Sequence, residues 1–178
     1  MRNKRSLIAV ISSAFLVCVA IAVILIWFVF PSMNYNKAQD LMNSGDYQNA
    51  LDKFIDLGEY KESERYKEFC EAAVLEANGQ FDEAYSIFEK LGDFNNSSEM
   101  ITNLLNDAVE AGEYKIAYKY DNSKEMATKI AEDALSKGDY EVAADYDNSK
   151  EMATKIADDA LNNGRYKTAL KYDDSEDM

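Results

Sequence analysis

Residues 120–145 read YDNSKEMATKIAEDALSKGDYEVAAD, and residues 146–171 repeat them as YDNSKEMATKIADDALNNGRYKTALK, with 18 of 26 positions identical. No other feature restricts the fold so tightly. A unit of this length is too short to hide an apolar face by itself, so tandem copies must lean on one another. The pattern extends upstream in looser form. A glycine turn followed by an aromatic recurs at Gly45-Asp46-Tyr47, Gly79-Gln80-Phe81, Gly112-Glu113-Tyr114, Gly138-Asp139-Tyr140 and Gly164-Arg165-Tyr166, at spacings of 34, 33, 26 and 26 residues.

Each turn separates two helices. In residues 125–137 the apolar positions are Met126, Ala127, Ile130, Ala131, Ala134 and Leu135, which fall on one face of a helix. Gly138 then suits the left-handed position that closes a helix. Ser123 suits the N-cap and Glu125 the first turn, and Ser149 and Glu151 repeat the arrangement. The second helix of the first unit carries Ala50, Phe54 and Leu57 and ends at Gly58. That of the second unit carries Ala84, Phe88 and Leu91 and ends at Gly92. In the two short units the second helix shrinks to about two turns, residues 140–145 and 166–171.

These positions define a resemblance. An alanine stands seven residues before four of the turn glycines (Ala38, Ala72, Ala131, Ala157), and another stands three after every turn aromatic (Ala50, Ala84, Ala117, Ala143, Ala169). Phe54 and Phe88 follow four residues later. In this the chain resembles the tetratricopeptide repeat (TPR) family over about residues 35–178, in units of 35–68, 69–102, 103–119, 120–145 and 146–178. It departs from the family in lacking the Trp and the Leu-Gly pair of the first helix. The family's closing Pro is also replaced, by Gly-acid-aromatic-x-x-Ser. The resemblance implies an all-α fold, an α-solenoid of helix-turn-helix pairs whose concave face holds peptides or protein segments.

Ahead of the repeats lies an apolar run of 24 residues, from Leu7 to Phe30, with no charge and only Ser12 and Ser13 polar. As a helix it reaches about 36 Å, enough to span a hydrocarbon core of about 30 Å. It ends in Trp27-Phe28-Val29-Phe30-Pro31, too bulky for a small-x-small cleavage site, so it reads as an uncleaved transmembrane signal-anchor. Cys18 follows Phe15, Leu16 and Val17 rather than small residues, which disfavours a lipoprotein. Arg2, Lys4 and Arg5 occupy the basic stretch 1–6, and no further base comes before Lys37. The positive-inside rule therefore places the N-terminus in the cytoplasm and the repeats outside the cell membrane. Residues 31–34 read as a short connector.

The formal charge is −14, and the first 34 residues hold three of the 19 bases and none of the 33 acids. Such a surface repels nucleic acid, which needs positive charge to release counterions. There is no histidine, and Cys18 sits inside the apolar run with Cys70 far downstream, so no internal disulfide is expected. Without histidine or a nucleophile–base pattern the chain reads as non-catalytic, with no cofactor and no metal. The YDNS and YDDS segments (Tyr120–Ser123, Tyr146–Ser149, Tyr172–Ser175) offer too few oxygens each for calcium and read as turns that cap the next helix. The acid pairs Glu132-Asp133 and Asp158-Asp159 read as a solvated face.

One row on the first helices is polar: Thr128, Glu132 and Ser136 in the fourth unit, Thr154, Asp158 and Asn162 in the fifth. The resemblance puts this row on the concave groove, where it suits a partner protein or peptide bearing Lys or Arg. Ser175 is placed to cap another first helix, so the last apolar face is expected to fray, to self-associate with another copy or to dock a partner. The expected function is a membrane-held scaffold for protein–protein interaction. The alternative is an accessory subunit of a membrane complex that acts through residues 7–30.

Overall fold

A computed structural model of the chain describes residues 15–173. The basic residues Arg2, Lys4 and Arg5, the start of the apolar run with Ser12 and Ser13, and Ser175 lie outside the described residues. Among the described residues there are ten α-helices and no strand. They are α1 (Phe15–Asn43), α2 (Tyr47–Leu57), α3 (Ser63–Ala77), α4 (Phe81–Leu91), α5 (Ser97–Glu110), α6 (Tyr114–Tyr120), α7 (Lys124–Ser136), α8 (Tyr140–Tyr146), α9 (Lys150–Asn162) and α10 (Tyr166–Tyr172).

Helix α1 is 29 residues long and is long and apolar enough to cross a membrane, with none of its apolar window covered by the rest of the chain. It does not stop at Pro31. The connector expected at residues 31–34 is helical, and the apolar segment runs unbroken into the first repeat helix. The physical reason lies one turn earlier. Leu25–Val29 is a π-helical turn, and Phe30 donates its N–H to the carbonyl of Leu25. A proline inside a helix lacks an N–H and crowds the carbonyl four residues back. The wider turn loosens the backbone ahead of Pro31, which then sits in the first turn of the continuing helix, where a missing N–H is tolerated.

Each helix from α1 to α10 packs chiefly on its neighbour in the chain, and α5 also touches α7. The alanines explain how close the helices come. Ala38, Ala72 and Ala131 are buried, as are Ala50, Ala84, Ala117, Ala143 and Ala169. Ala157 is half-buried, and the third unit substitutes buried Leu105 at that position. The two long units add aromatic bulk. Phe54 stacks on Tyr66 at 5.3 Å and meets Tyr35 edge-on at 6.0 Å, and Phe69 meets Phe88 edge-on at 5.5 Å. One apolar cluster runs from Tyr35 to Ile130 and a second from Ala131 to Ala169, with Tyr114, Val142 and Tyr146 packed against both.

The turns follow their residues. Gly112 has φ of 82°, a left-handed value that a side chain resists, and it closes α5 with its N–H on the carbonyl of Val109. In the second turns of the long units the serine is fully buried, at Ser63 and Ser97. Each hydroxyl donates to the carbonyl of the aromatic three residues back, Tyr60 or Phe94, at 2.5 Å. The aromatic-x-x-Ser turn therefore leaves neither buried serine hydroxyl unpaired.

Candidate protein-binding surface

The YDNS turns are caps. Asp121 accepts the backbone N–H of Ser123 at 3.0 Å, and Ser123 Oγ accepts that of Met126 at 3.1 Å. Asp147, Ser149 and Met152 repeat this at 2.9 and 3.1 Å. The Ser149 contact also holds the Asp147 carboxyl below its ordinary range. These side chains are spent on starting α7 and α9 where the apolar periodicity needs them.

The acid pairs divide, which their reading as a solvated face did not anticipate. Asp133 accepts the Tyr114 hydroxyl at 2.7 Å, and Asp159 accepts the Tyr140 hydroxyl at 2.8 Å. Each bond joins the turn tyrosine of one unit to the first helix of the next. Only Glu132 and Asp158, the other members, remain exposed. Asp133 also takes Lys137 Nζ at 2.6 Å, and that ammonium caps the end of α5 through the Glu110 carbonyl at 2.8 Å. Arg165 reaches the Gly138 carbonyl at 3.2 Å in the same manner. Exposed pairs Lys119–Asp82 at 3.0 Å and Lys171–Glu141 at 3.3 Å reach back to the preceding unit. Exposed pairs of this kind set register more than they add stability.

The polar row does not line a single groove. Thr128 and Glu132 border a shallow surface with Lys124, Glu125 and Lys129, so its charge is mixed rather than acidic. Glu132 is also engaged by Lys155 at 3.6 Å, which pairs with Glu151 at 3.1 Å. Thr154 and Asp158 border a different cleft of 310 Å³ between α9 and α10, walled by Leu161, Tyr166 and Leu170. Ser136 donates to its own helix at the Asp133 carbonyl, and Thr154 to that of Lys150. Neither Ser136 nor Asn162 borders either cleft.

Sequence reasoning missed a larger cleft of 420 Å³ between α6 and α8. It is lined by Tyr114, Lys115, Tyr118, Val142, Asp145 and Tyr146 among others. The signal for it was present in the doubled tyrosines of the third unit, Tyr114 and Tyr118, which lie one helical turn apart. Tyr118 meets Tyr146 edge-on at 5.2 Å, which makes the floor aromatic. A floor of tyrosines with a lysine and an aspartate at the rim has the amphipathic character of protein-contact surfaces.

Desolvation raises the pKa of a thiol and of a carboxyl on α3. Cys70 is a free thiol inside α3, and burial pushes its pKa up to about 12, so it is a packing residue rather than a nucleophile. Glu76 is half-buried, and its carboxyl is raised from 4.5 to about 7 by desolvation and then by the nearby Asp107 charge. Among the described residues no group of three or more His, Cys, Asp or Glu is placed to hold a metal ion. No family model matches the chain, and no curated protein matches it.

Proposed function

We propose that the chain is a membrane-held, TPR-like solenoid that acts as a non-catalytic scaffold for another protein. Its N-terminus is cytoplasmic and its repeats lie outside the membrane. The observation that carries this reading is α1 itself: the apolar spanning segment passes without a break into the first of the chain-ordered helix pairs. A rigid helical passage holds the pairs at a set distance from the bilayer, as a presenting surface requires. The cleft between α6 and α8, with Tyr118 and Tyr146, is the favoured contact, because aromatic side chains anchor protein interfaces at low ordering cost.

Affinity capture of the intact protein from solubilised membranes tests the proposal. One protein should be retained at low and moderate salt and lost from a Tyr118→Ala, Tyr146→Ala double variant. Retention of nothing beyond background at both salts would defeat the scaffold reading. Exchanging residues 7–30 for an unrelated spanning helix separates the alternative: the scaffold keeps its partner, whereas a subunit acting through the membrane loses it.

A further inference from the structure

Where the apolar part of α1 gives way to the repeats, an open cleft of 640 Å³ lies between α1 and the end of α2. Clefts of roughly 300–1,000 Å³ are usual for small-molecule ligands. The α1 wall is graded. Ile26, Trp27 and Phe30 come first, and Asn34 follows about 12 Å along the helix from Ile26. Across from them stand Asp56 and Leu57 of α2, then Glu59 and Tyr60 of the turn that follows. The α1 wall thus turns from apolar to polar, and the α2 side adds two carboxylates.

The charges at this place are unspent. Asp56 and Glu59 are exposed, and among the described residues neither carboxylate makes a hydrogen bond or an ion pair. Both stand at the C-terminal end of α2, where the helix dipole also favours a cation. Lys61 does not neutralise them. Its ammonium lies over the Tyr35 and Tyr60 rings, 4.5 and 5.3 Å from their centroids. Two acids, and a lysine held against Tyr60, are the complement of a zwitterion that carries a cation at its tip. On the α1 side Trp27 and Phe30 are 70% and 52% exposed, so the rest of the chain leaves this apolar wall uncovered.

We propose that this cleft binds a bilayer phospholipid whose head group ends in a primary ammonium. The ammonium donates to Asp56 and Glu59, the phosphate faces Lys61, and the upper acyl chain lies along Ile26, Trp27 and Phe30. A primary ammonium suits the acids better than a quaternary one, because each of its three N–H groups can meet an oxygen and a trimethylammonium donates none. A head group with a net negative charge meets the two carboxylates with like charge. The order of polarity along α1 is that of one lipid leaflet, hydrocarbon first and head group beyond. A lipid seated there touches both α1 and the end of α2, so it steadies the angle at which the repeats leave the bilayer. This inference deepens the membrane-held reading and rests on it.

The test uses the intact protein in phosphatidylcholine bilayers and reads the fluorescence of Trp27, the chain's only tryptophan. A small fixed fraction of the lipid is replaced by phosphatidylethanolamine brominated near the ester end of its chains, which quenches indole on contact. Quenching should be about threefold stronger than with the same fraction of equally brominated phosphatidylcholine or phosphatidylglycerol, a ratio within reach of exposed ion pairs. In an Asp56→Asn, Glu59→Gln variant the ethanolamine and choline lipids should quench alike. A Glu132→Gln, Asp158→Asn control, which removes the same charge far from the cleft, should keep the preference. Equal quenching by all three lipids in the wild type would overturn the site and leave the membrane-held reading standing. So would a preference that survives Asp56→Asn, Glu59→Gln, or a preference for phosphatidylglycerol. No quenching by any brominated lipid would defeat both readings, because Trp27 would then lie outside the bilayer.

Discussion

Phe54 offers the sharpest quantitative prediction. It is fully buried in α2, stacked on Tyr66 and edge-on to Tyr35, so it joins α1, α2 and α3. Truncation to alanine removes the apolar transfer term and leaves a cavity, a loss of about 3–5 kcal/mol for a buried phenylalanine. Each lost ring pair adds about 0.5–1.5 kcal/mol. Phe88 is equally buried but keeps one such ring partner, Phe69. Phe54→Ala should therefore cost more than Phe88→Ala by about 1 kcal/mol, and each should remove roughly a quarter or more of a total near 5–15 kcal/mol. The assay is urea unfolding of the intact protein in detergent micelles, followed by far-ultraviolet circular dichroism. The apolar part of α1, covered by detergent, contributes a constant background there. Phe54→Leu, which keeps most of the volume and loses the ring contacts, should fall between wild type and Phe54→Ala. A Phe54→Ala loss below about 1 kcal/mol with an unchanged slope would refute the packing account of the long units.

Glu76 predicts a pH dependence. Its carboxyl is raised in the folded state, so folding favours the protonated form. Its unfavourable contribution is absent below the unfolded value of 4.5 and grows as pH rises through about 7. Glu76→Gln should flatten that fall, raising stability by about 1–2 kcal/mol at about pH 8 after allowance for partial exposure and changing it little at about pH 4. Gly112→Ala should cost about 1–2 kcal/mol in the same urea assay, entirely from the left-handed backbone, because an added Cβ meets nothing within 4 Å. Ser149→Ala removes the cap on the Met152 N–H and should cost about 0.5–2 kcal/mol, with Ser149→Asp restoring most of it.

Local structure was legible wherever one residue type has one physical use. The turn glycines, the Ser123 and Ser149 caps, and the alanines where helices approach all occur as their chemistry requires. Pro31 misled because proline ordinarily ends a helix, and only the backbone shows that the π turn before it relieves the strain. The divided acid pairs were hidden for a different reason. On a helix, Glu132 and Asp133 point about 100° apart, and sequence alone does not say which of the two faces the neighbouring unit. The recurrence of Tyr and Asp nineteen residues apart, at Tyr114/Asp133 and Tyr140/Asp159, is the sequence signal for these bonds. The polar row was read as one surface because helical spacing aligns its members. The structure instead puts Thr128 and Thr154 on separate clefts.

Neighbouring helix pairs hold one another in place, and the dependence of stability on length measures this directly. The intact protein is compared in micelles with versions ending after Asp121, Asp147 and Asp173, each by urea unfolding. The account predicts a single transition whose midpoint climbs with every unit retained. Midpoints that stay the same at every length, or separate transitions for separate units, would contradict it.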